Sequence, residues 1–317
     1  MSIRTVVLNG YKMNYDGNLD YSILSDEVVV YDDTTQEQFL ERIQGFDVIV
    51  TKEMPVTAEM IAQIPENIHL ICEAGTGYNN IDIKAARERD ITVCNVAGYS
   101  SHRVAHTAIM MILNLSSSIR KQMDMLSKGD YTNFTNCLQV SHTEVNYKTL
   151  GVIGPGAIGR QVMNVAVALG MNVLAWDVVE HPDEPGIRYV SMDELLANSD
   201  YITLHCPLLD STRHIINEET IAKMKDGVYI VNCSRGPLID EKALIAALQS
   251  GKVKGAGLDV LEQEPPELDN PLLTMDNVIL TPHMGWQGLE TRQRLVGIVK
   301  GNIDGFFAGN PVNVVNK

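Results

Sequence analysis

The stretch TLGVIGPGAIGR, Thr149–Arg160, decides the fold, because it joins a short apolar run to a helix-like run through a glycine-rich turn. Three of its residues fit the GxGxxG spacing of a dinucleotide-binding turn: Gly154, Gly156 and Gly159. In such a turn the first glycine makes the bend, the second lets the backbone approach a pyrophosphate, and the third allows close helix packing. The amides of the first helical turn, including Ala157 and Ile158, then face the phosphates.

The apolar run after this turn, MNVLAWD, ends in Asp177, about 20 residues past the glycines. A carboxylate at this place accepts hydrogen bonds from the ribose hydroxyls and repels the 2′-phosphate that distinguishes NADP from NAD. The residues VVEH follow, so no arginine stands ready to receive such a phosphate. Glycines and carboxylate together predict NAD as the cofactor.

Short apolar runs alternate with helix-like segments on both sides of this stretch, which is the rhythm of a doubly wound α/β fold. Five runs precede residue 100: TVVLNG, EVVVYDD, FDVIVTK, IHLICEAG and ITVCNVAG. Six more follow Thr149: TLGVIG, MNVLAWD, YITLHCP, VYIVNCS, VKGAGLDV and NVILTPH. They predict two parallel sheets buried on both faces. The segment SSHRVAHTAIMMILNLSSSIRKQMDML predicts a connecting helix, followed by a loop to about Lys148, and residues 288–308 predict a last helix.

Composition narrows the class of protein. The 317 residues suit about two domains, and no apolar run approaches the ~18 residues that a membrane span needs. A formal charge of −15 argues against a nucleic-acid partner, since that binding depends on Lys and Arg. Five widely spaced cysteines without a CxxC pair predict neither disulfides nor a metal site. The apolar run at the amino terminus is too short for the hydrophobic region of a secretory signal, so we expect a cytoplasmic protein.

Three further predicted strands end in residues whose side chains could act in catalysis or binding. They lie in the segments NCSRGPLID, GLDVLEQEPPELDNP and TPHMGW. These residues are Arg235, Asp259, Glu264 and His283. Each has a plain structural alternative: a surface arginine, a cap, a solvated loop charge and a core histidine. Ligands of open parallel sheets bind outside the carboxyl ends of the strands, however, and all four residues should meet there. The pattern favours a catalytic site.

The motifs GPGAIG, SRGPLID, GAGLDVLEQEPP and TPHMGW, in this order and spacing, closely resemble the NAD-dependent D-isomer-specific 2-hydroxyacid dehydrogenases. The resemblance spans nearly the whole chain. It implies a Rossmann coenzyme domain at residues 101–287, inserted into a flavodoxin-like substrate domain made of residues 1–100 and 288–317. It also implies a homodimer that packs through the apolar helix around Val104 to Leu115.

The resemblance also implies roles for the residues at the strand ends. His283 would donate the proton to the carbonyl oxygen, and Glu264 would orient it and favour its protonated form. Arg235 would bind the substrate carboxylate and carbonyl with its fork of donors, and would also lie beside the cofactor. Asp259 would accept from the nicotinamide carboxamide, with Cys233 among the groups next to the cofactor.

The segment EAGTGYNNID, residues 73–82, resembles the substrate loop of the family, where the amides of Thr76 and Gly77 would hold the substrate carboxylate. Glu73 stands where relatives that act on phosphoglycerate often carry arginine, so a phosphorylated substrate is disfavoured. HMGWQGLETRQRLVG, which contains Trp286, is most similar to glycerate dehydrogenases, also called hydroxypyruvate reductases. D-glycerate and hydroxypyruvate are therefore the expected substrate pair.

Other functions remain open at this point. A D-lactate-type or broad 2-keto acid reductase differs only in pocket details worth about 1–3 kcal/mol. Formate dehydrogenases share the fold but pair the histidine with glutamine, where this chain has Glu264. A non-catalytic NADH-sensing protein, like some transcriptional corepressors, would keep the same residues, although this chain shows no basic or disordered arm for a partner.

Overall fold

The structure, a computed structural model, describes residues 2–317, which divide into two compact units. Unit 1 is formed by Met1–Ser100 and Trp286–Lys317, and unit 2 by Ser101–Gly285. One domain is thus inserted into the other, as the resemblance implies. The return to unit 1 comes two residues earlier than expected, because Trp286 and Gln287 belong to it rather than to the 101–287 segment.

Unit 1 has a five-stranded parallel sheet in the order β2-β1-β3-β4-β5, which is the flavodoxin-like order. Its strands are β1 (Arg4–Val7), β2 (Glu27–Val30), β3 (Val48–Thr51), β4 (Leu70–Glu73) and β5 (Thr92–Cys94). Its helices are α1 (Gly10–Asn14), α2 (Gln36–Arg42), α3 (Ala58–Ala62), α4 (Ile83–Glu88) and α12 (Leu289–Phe307). One core layer lies under α2, α3 and α4, and the other under α1 and α12.

Helix α12 completes unit 1 with residues from the far end of the chain. Leu295, Val299 and Ile303 are buried in the core that β1, β3 and β4 share with α1. Arg292 is only 2% exposed, and its guanidinium binds the Asp16 carboxylate at 2.6 Å and the carbonyl of Met13 at 2.8 Å. A buried arginine is tolerated when its donors are satisfied in this way. The predicted last helix is confirmed, and it is part of the core.

Unit 2 has a seven-stranded parallel sheet in the order β12-β11-β10-β9-β6-β7-β8, which contains the Rossmann succession. Its strands are β6 (Thr149–Ile153), β7 (Asn172–Trp176), β8 (Ile187–Tyr189), β9 (Tyr201–Leu204), β10 (Val228–Asn232), β11 (Val253–Leu258) and β12 (Val278–Leu280). Its helices are α5 (Ser101–Ser116), α6 (Ile119–Ser127), α7 (Thr132–Thr135), α8 (Ala157–Ala168), α9 (Met192–Asn198), α10 (Glu218–Lys223) and α11 (Glu241–Ser250). The six predicted strands are present, and β8 is an additional short one.

The predicted connecting helix is in fact two helices. Ser118 has a left-handed backbone, with φ of 49°, so α5 ends before it and α6 starts after it. The apolar side of α5 packs inside unit 2 against β10, β11 and α8. A Cβ at Gly257 would lie 2.8 Å from Met111, so the glycines of β11 let this helix approach the sheet. The apolar residues from Val104 to Leu115 are thus largely used by the core of unit 2, and the part of this helix in a dimer interface stays a prediction.

None of the helices within residues 2–317 is long and apolar enough to cross a bilayer.

Candidate active site

Two of the three glycines in the turn after β6 are required by packing inside the protein. Gly154 has φ of 93°, and a Cβ there would lie 2.5 Å from the amide nitrogen of Cys206, which follows β9. A Cβ at Gly159 would lie 2.3 Å from the carbonyl oxygen of Gly154. The turn thus sits where β6 and β9 are neighbours, at the switch point at which ligands of such sheets bind.

Gly156 has no such internal reason to be glycine. Its φ of −71° suits any residue, and no neighbouring heavy atom of the described chain lies within 4 Å of a Cβ built there. It precedes α8, whose first-turn amides have no partners within the helix and no side-chain cap. Open space in front of unpaired amides fits the pyrophosphate of NAD, which a side chain at this position would obstruct.

His205 lies on the other side of the glycine turn and was not predicted as a site residue. Its carbonyl carbon would lie 2.8 Å from a Cβ at Gly154, and its Nε2 is 2.9 Å from Thr203 Oγ1. Burial lowers the pKa of His205 to about 4, so the ring is neutral. Its buried Nδ1 makes no hydrogen bond within residues 2–317. The sequence feature that could have indicated His205 is the strand end LHCP, because this strand lies next to the strand that precedes the glycine motif.

Asp177 lies directly after β7, where the ribose carboxylate was predicted. Its Oδ2 is 2.9 Å from Nε2 of His181, and its Oδ1 accepts from the amide of Val178 at 2.7 Å. Burial alone would raise the pKa of Asp177, but the hydrogen bonds from His181 and Val178 outweigh it and lower the pKa. The carboxylate is therefore ionised at neutral pH, as repulsion of a 2′-phosphate requires. The contact with His181 was not predicted, because the segment VVEH indicated only that no arginine follows Asp177.

His283 and Glu264 are brought together. His283 Nδ1 lies 2.8 Å from Glu264 Oε2, and the other carboxylate oxygen accepts from the amide of Leu261 at 3.0 Å. Burial would raise the pKa of Glu264, but the hydrogen bonds from His283 and Leu261 and the charge of Arg235 lower it. The side chains are 36% and 37% exposed, so a substrate can reach them. A carboxylate that orients an accessible imidazole is the arrangement of a general acid–base pair.

The loop that carries His283 is held by Asp259, which is 2% exposed. Its carboxylate accepts from the hydroxyl of Thr281 at 2.6 Å and from the amides of Met284 and Gly285 at 2.9 and 2.8 Å. The carbonyl of Asp259 accepts from the amide of His283 at 2.9 Å. A carboxylate has about four acceptor positions, so one is left for the nicotinamide carboxamide. The structure shows Asp259 fixing the loop, and its contact with the cofactor remains a prediction.

Arg235 follows β10 and is exposed. Its segment packs against the loop that leads to Glu264, because a Cβ at Gly236 would overlap the carbonyl oxygen of Leu261 at 1.7 Å. This packing explains why the charge of Arg235 acts on Glu264. Cys233, by contrast, is buried: its thiol lies 3.8 Å from the sulfur of Met111, and burial raises the pKa of the thiol. Its side chain therefore packs in the core, and its predicted place beside the cofactor stays a prediction.

In unit 1, the predicted substrate loop follows β4 and starts at Glu73, which is fully buried. Its Oε1 accepts from the amide of Glu53 at 3.0 Å, and its Oε2 accepts from Asn80 Nδ2 at 2.9 Å. Burial raises the pKa of Glu73 to about 7. The carboxylate braces both ends of the loop and faces the interior. Glu73 thus presents no charge to the solvent, so the expectation that a phosphorylated substrate is disfavoured rests on the lack of an arginine at this position.

Thr76 and Gly77 lie at the exposed tip of this loop. The loop is anchored through the Thr76 side chain, which donates to the carbonyl of Val96 at 3.0 Å, and through its carbonyl, which accepts from Asn95 at 2.8 Å. Within the described part of the chain, the amides of Thr76 and Gly77 donate to no backbone or side-chain acceptor. Two neighbouring unpaired amides suit a carboxylate.

Lys52 is a third feature of this loop that the sequence analysis missed. It is 3% exposed, its ammonium lies 2.5 Å from Glu53 Oε1, and it sits 4.4 Å from the centre of the Trp286 ring. A Cβ at Gly75 would lie 3.1 Å from the ammonium, so the cation lies directly against the loop.

A Rossmann sheet with an open glycine turn, an ionised carboxylate after β7 and a histidine–carboxylate pair define the chain as an NAD-dependent oxidoreductase. Residues 109–285 match the family described as "D-isomer specific 2-hydroxyacid dehydrogenase, NAD binding domain". The chain belongs to the D-isomer specific 2-hydroxyacid dehydrogenase family, and it transfers hydride between NAD(H) and a 2-hydroxy or 2-keto acid.

Named relatives match most or nearly all of the chain. The hydroxypyruvate reductase of Blautia hydrogenotrophica is 42% identical over 99% of this chain and all of its own. The glycerate dehydrogenase of Methylorubrum extorquens is 36% identical, with 89% of each chain covered. A crystal structure of D-lactate dehydrogenase from Aquifex aeolicus, complexed with NAD and lactic acid, superposes with a TM-score of 0.81 at 31% identity and covers 99% of each chain.

Replacing Glu264 with glutamine is expected to move the alkaline limb of the pH profile for keto-acid reduction to lower pH by about one unit or more. The lowered pKa of Glu264 keeps its carboxylate charged at neutral pH, 2.8 Å from His283 Nδ1, and a negative charge at this distance generally favours the protonated form of an imidazole. Since reduction consumes the proton, Glu264→Gln should lose rate at neutral pH and regain it in mild acid.

Profiles of kcat and kcat/KM against pH measure this shift. Glu262→Gln is the matched control, because it removes a carboxylate from a second histidine pair, 2.6 Å from His214. An alkaline limb that moves in the control and stays in place in Glu264→Gln would contradict the assignment.

Proposed function

We propose that this enzyme interconverts D-glycerate and hydroxypyruvate with NAD(H). The observation that carries the chemistry is the pair of His283 and Glu264 at 2.8 Å, on a loop that the buried Asp259 fixes. Support for the substrate comes from the relatives named hydroxypyruvate reductase and glycerate dehydrogenase.

When bound, NADH supplies the hydride that reduces the carbonyl carbon of the keto acid. The reduction leaves negative charge on the carbonyl oxygen, and His283 in its protonated form donates the proton that neutralises it. Glu264 holds the imidazole in orientation through Nδ1, and Nε2 is the nitrogen that exchanges the proton with the substrate. In the oxidative direction the same nitrogen accepts the proton of the hydroxyl group.

Two groups bind the rest of the substrate. The fork of donors on Arg235 suits both the carboxylate and the carbonyl oxygen, and it stabilises the charge that develops on that oxygen. The unpaired amides of Thr76 and Gly77 offer hydrogen bonds to the carboxylate without a charge of their own. The net charge of −15 makes such local donors necessary, because the chain as a whole repels a carboxylate.

The proposal is tested with NADH-dependent reduction of a panel of acids: hydroxypyruvate, glyoxylate, pyruvate, 4-methyl-2-oxopentanoate and 3-phosphohydroxypyruvate. We expect hydroxypyruvate to have the largest kcat/KM, by about tenfold over pyruvate, the range that one pocket contact supplies. A preference for the phosphorylated acid would make the enzyme a phosphoglycerate dehydrogenase. No turnover of any acid would indicate an NADH-sensing protein.

Replacing Asp177 with alanine is expected to lower kcat/KM for NADH and to raise the ratio of NADPH to NADH efficiency about tenfold or more. The carboxylate is ionised, so its removal takes away both the acceptor for the ribose hydroxyls and the repulsion of a 2′-phosphate. Asp226→Ala, which removes a carboxylate at the surface, is the control and should leave the ratio unchanged. A wild type that uses NADPH as well as NADH would contradict the assignment.

We also propose a cytoplasmic homodimer. Free, widely spaced cysteines suit a reducing compartment. Since α5 is used by the core, the support for dimerisation comes from the segment after it, which exposes large apolar side chains. These are Met123, Leu126, Tyr131, Phe134 and Leu138. A cluster of this kind marks an interaction surface, and a second copy is the commonest partner.

The double substitution Met123→Asp and Phe134→Asp is expected to yield a monomer of 35.0 kDa, whereas the wild type should have about twice this mass. The two side chains are 64% and 77% exposed, so aspartate is tolerated in the folded monomer but not in an apolar interface. Light scattering at micromolar concentration measures the mass. Leu209→Asp, at another exposed leucine, should remain a dimer; a monomeric wild type would refute the proposal.

A further inference from the structure

The contact between Asp177 and His181 has a consequence for cofactor choice. His181 lies in the loop after β7, four residues beyond Asp177, and its Nε2 is 2.9 Å from Asp177 Oδ2. The two side chains are 25% and 29% exposed, so they remain accessible to a ligand. Histidine is the side chain that ordinarily changes its charge between about pH 5 and 8. The pair carries one negative charge when the imidazole is neutral and none when it is protonated.

The other ionisable groups around His181 are neutral, or are held by hydrogen bonds or ion pairs of their own. Its ring lies against the Tyr189 ring, with centroids 4.9 Å apart. Burial raises the pKa of Tyr189, so the phenol stays neutral, while the lowered pKa of Asp177 keeps that carboxylate charged. Glu184, which accepts from the Tyr189 hydroxyl, is paired with Arg160 at 2.9 Å. Asp183 accepts from the amide of Tyr189 at 2.8 Å.

We propose that His181 is a specificity-determining residue for the cofactor: when protonated it offsets the charge of Asp177 and admits a 2′-phosphate, and when neutral it leaves the charge that rejects one. The proposal rests on the placement of Asp177 at the ribose under the proposed function. His181 acts through Asp177 and by its own positive charge, as an arginine does in NADP-binding relatives of the fold. Preference for NAD over NADP is thus strict at alkaline pH and relaxed in mild acid.

The experiment measures binding without turnover, with the full-length protein and two ligands that differ only in the 2′-phosphate. These are adenosine 5′-monophosphate and adenosine 2′,5′-bisphosphate, titrated by calorimetry at low ionic strength at about pH 6 and about pH 8.5. In the wild type, the affinity of the bisphosphate relative to the monophosphate should rise about five- to tenfold between the higher and the lower pH.

His181→Gln keeps an amide that can donate to Asp177 but carries no charge at either pH. The 2′-phosphate of the ligand has its own titration, which is the same for every variant. The rise in relative affinity should therefore be clearly smaller in His181→Gln than in the wild type. His214→Gln is the matched control, since His214 lies 2.6 Å from Glu262 in a similar pair of the same unit. It should behave like the wild type, and the ratio of NADPH to NADH efficiency should follow the same order.

Equal pH dependence in the wild type and in His181→Gln would overturn the inference. Asp177→Asn separates this result from failure of the proposed cofactor site. If Asp177→Asn improves binding of the bisphosphate at about pH 8.5 while His181→Gln changes nothing, Asp177 lies at the ribose and only the role of His181 is refuted. If Asp177→Asn leaves both ligands unaffected, the placement of the ribose itself is wrong. A destabilised His181→Gln is replaced by His181→Asn, for which the same expectations hold.

Discussion

The substitution His283→Ala is expected to lower kcat for keto-acid reduction by about 10²-fold or more, with NADH binding near that of the wild type. The imidazole lies 2.8 Å from Glu264 and is accessible, so its removal takes away the proton donor without exposing the cofactor site. The backbone of the loop is held by Asp259, whose hydrogen bonds from the amides of Met284 and Gly285 do not involve the imidazole and so keep the loop in place after the change.

Two measurements make this expectation specific. The alkaline limb of the pH profile should disappear together with the imidazole, and deuterated NADH should show that hydride transfer limits the rate. His214→Ala, at the other histidine paired with a carboxylate, is the control and should retain full activity. Near-normal kcat in His283→Ala, with chemistry shown to be rate-limiting, would return this histidine to a structural role.

The substitution Arg235→Lys is expected to raise KM for the keto acid by about tenfold or more and to change kcat less. Lysine keeps the positive charge but loses the planar fork of donors that suits a carboxylate and a carbonyl at once. Arg235 is exposed, and within residues 2–317 its guanidinium donates one hydrogen bond, to the carbonyl of Ser234, so its other donors can serve a ligand. The fold should tolerate the change.

A substrate without a carboxylate distinguishes recognition from a general loss of activity. Reduction of methylglyoxal should respond less to Arg235→Lys than reduction of hydroxypyruvate, because only the second substrate offers the carboxylate. Arg188→Lys, at an exposed arginine paired with Glu194, should leave both reactions as they are. An unchanged KM for hydroxypyruvate in Arg235→Lys would exclude the proposed contact.

Much of the fold could be predicted from the sequence, because strands buried on both faces read as continuous apolar runs. The exceptions are short or irregular. Strand β8 has three residues within a stretch rich in charge, proline and glycine, so its pattern is lost. The break at Ser118 depends on a left-handed backbone that a run of serines does not indicate. The apolar stripe of α5 predicts burial, but a stripe cannot tell whether the same chain or a partner covers it.

The candidate site was predictable where it follows strand ends, and not where it depends on loop paths. Arg235, Glu264 and His283 could be grouped because the sheet brings its strand ends to one edge. The contact of His181 with Asp177 requires the path of a loop, and the inward direction of Glu73 requires the neighbouring residues Glu53 and Asn80. Site residues that directly follow strands can be predicted from the sequence, whereas the direction in which a charged side chain points cannot.

The division of unit 1 between the two ends of the chain sets an order for its biosynthesis. The first hundred residues leave the ribosome without α12, and so without Leu295, Val299 and the buried Arg292 that close their core. The whole of unit 2 is synthesised before α12 emerges, and its sequence is contiguous. The nucleotide-binding half is thus complete while the other half still waits for its last helix. A nascent chain stalled before residue 286 would contain a complete unit 2 and a unit 1 without α12. The apolar face that α12 normally covers would then be exposed and could bind a chaperone.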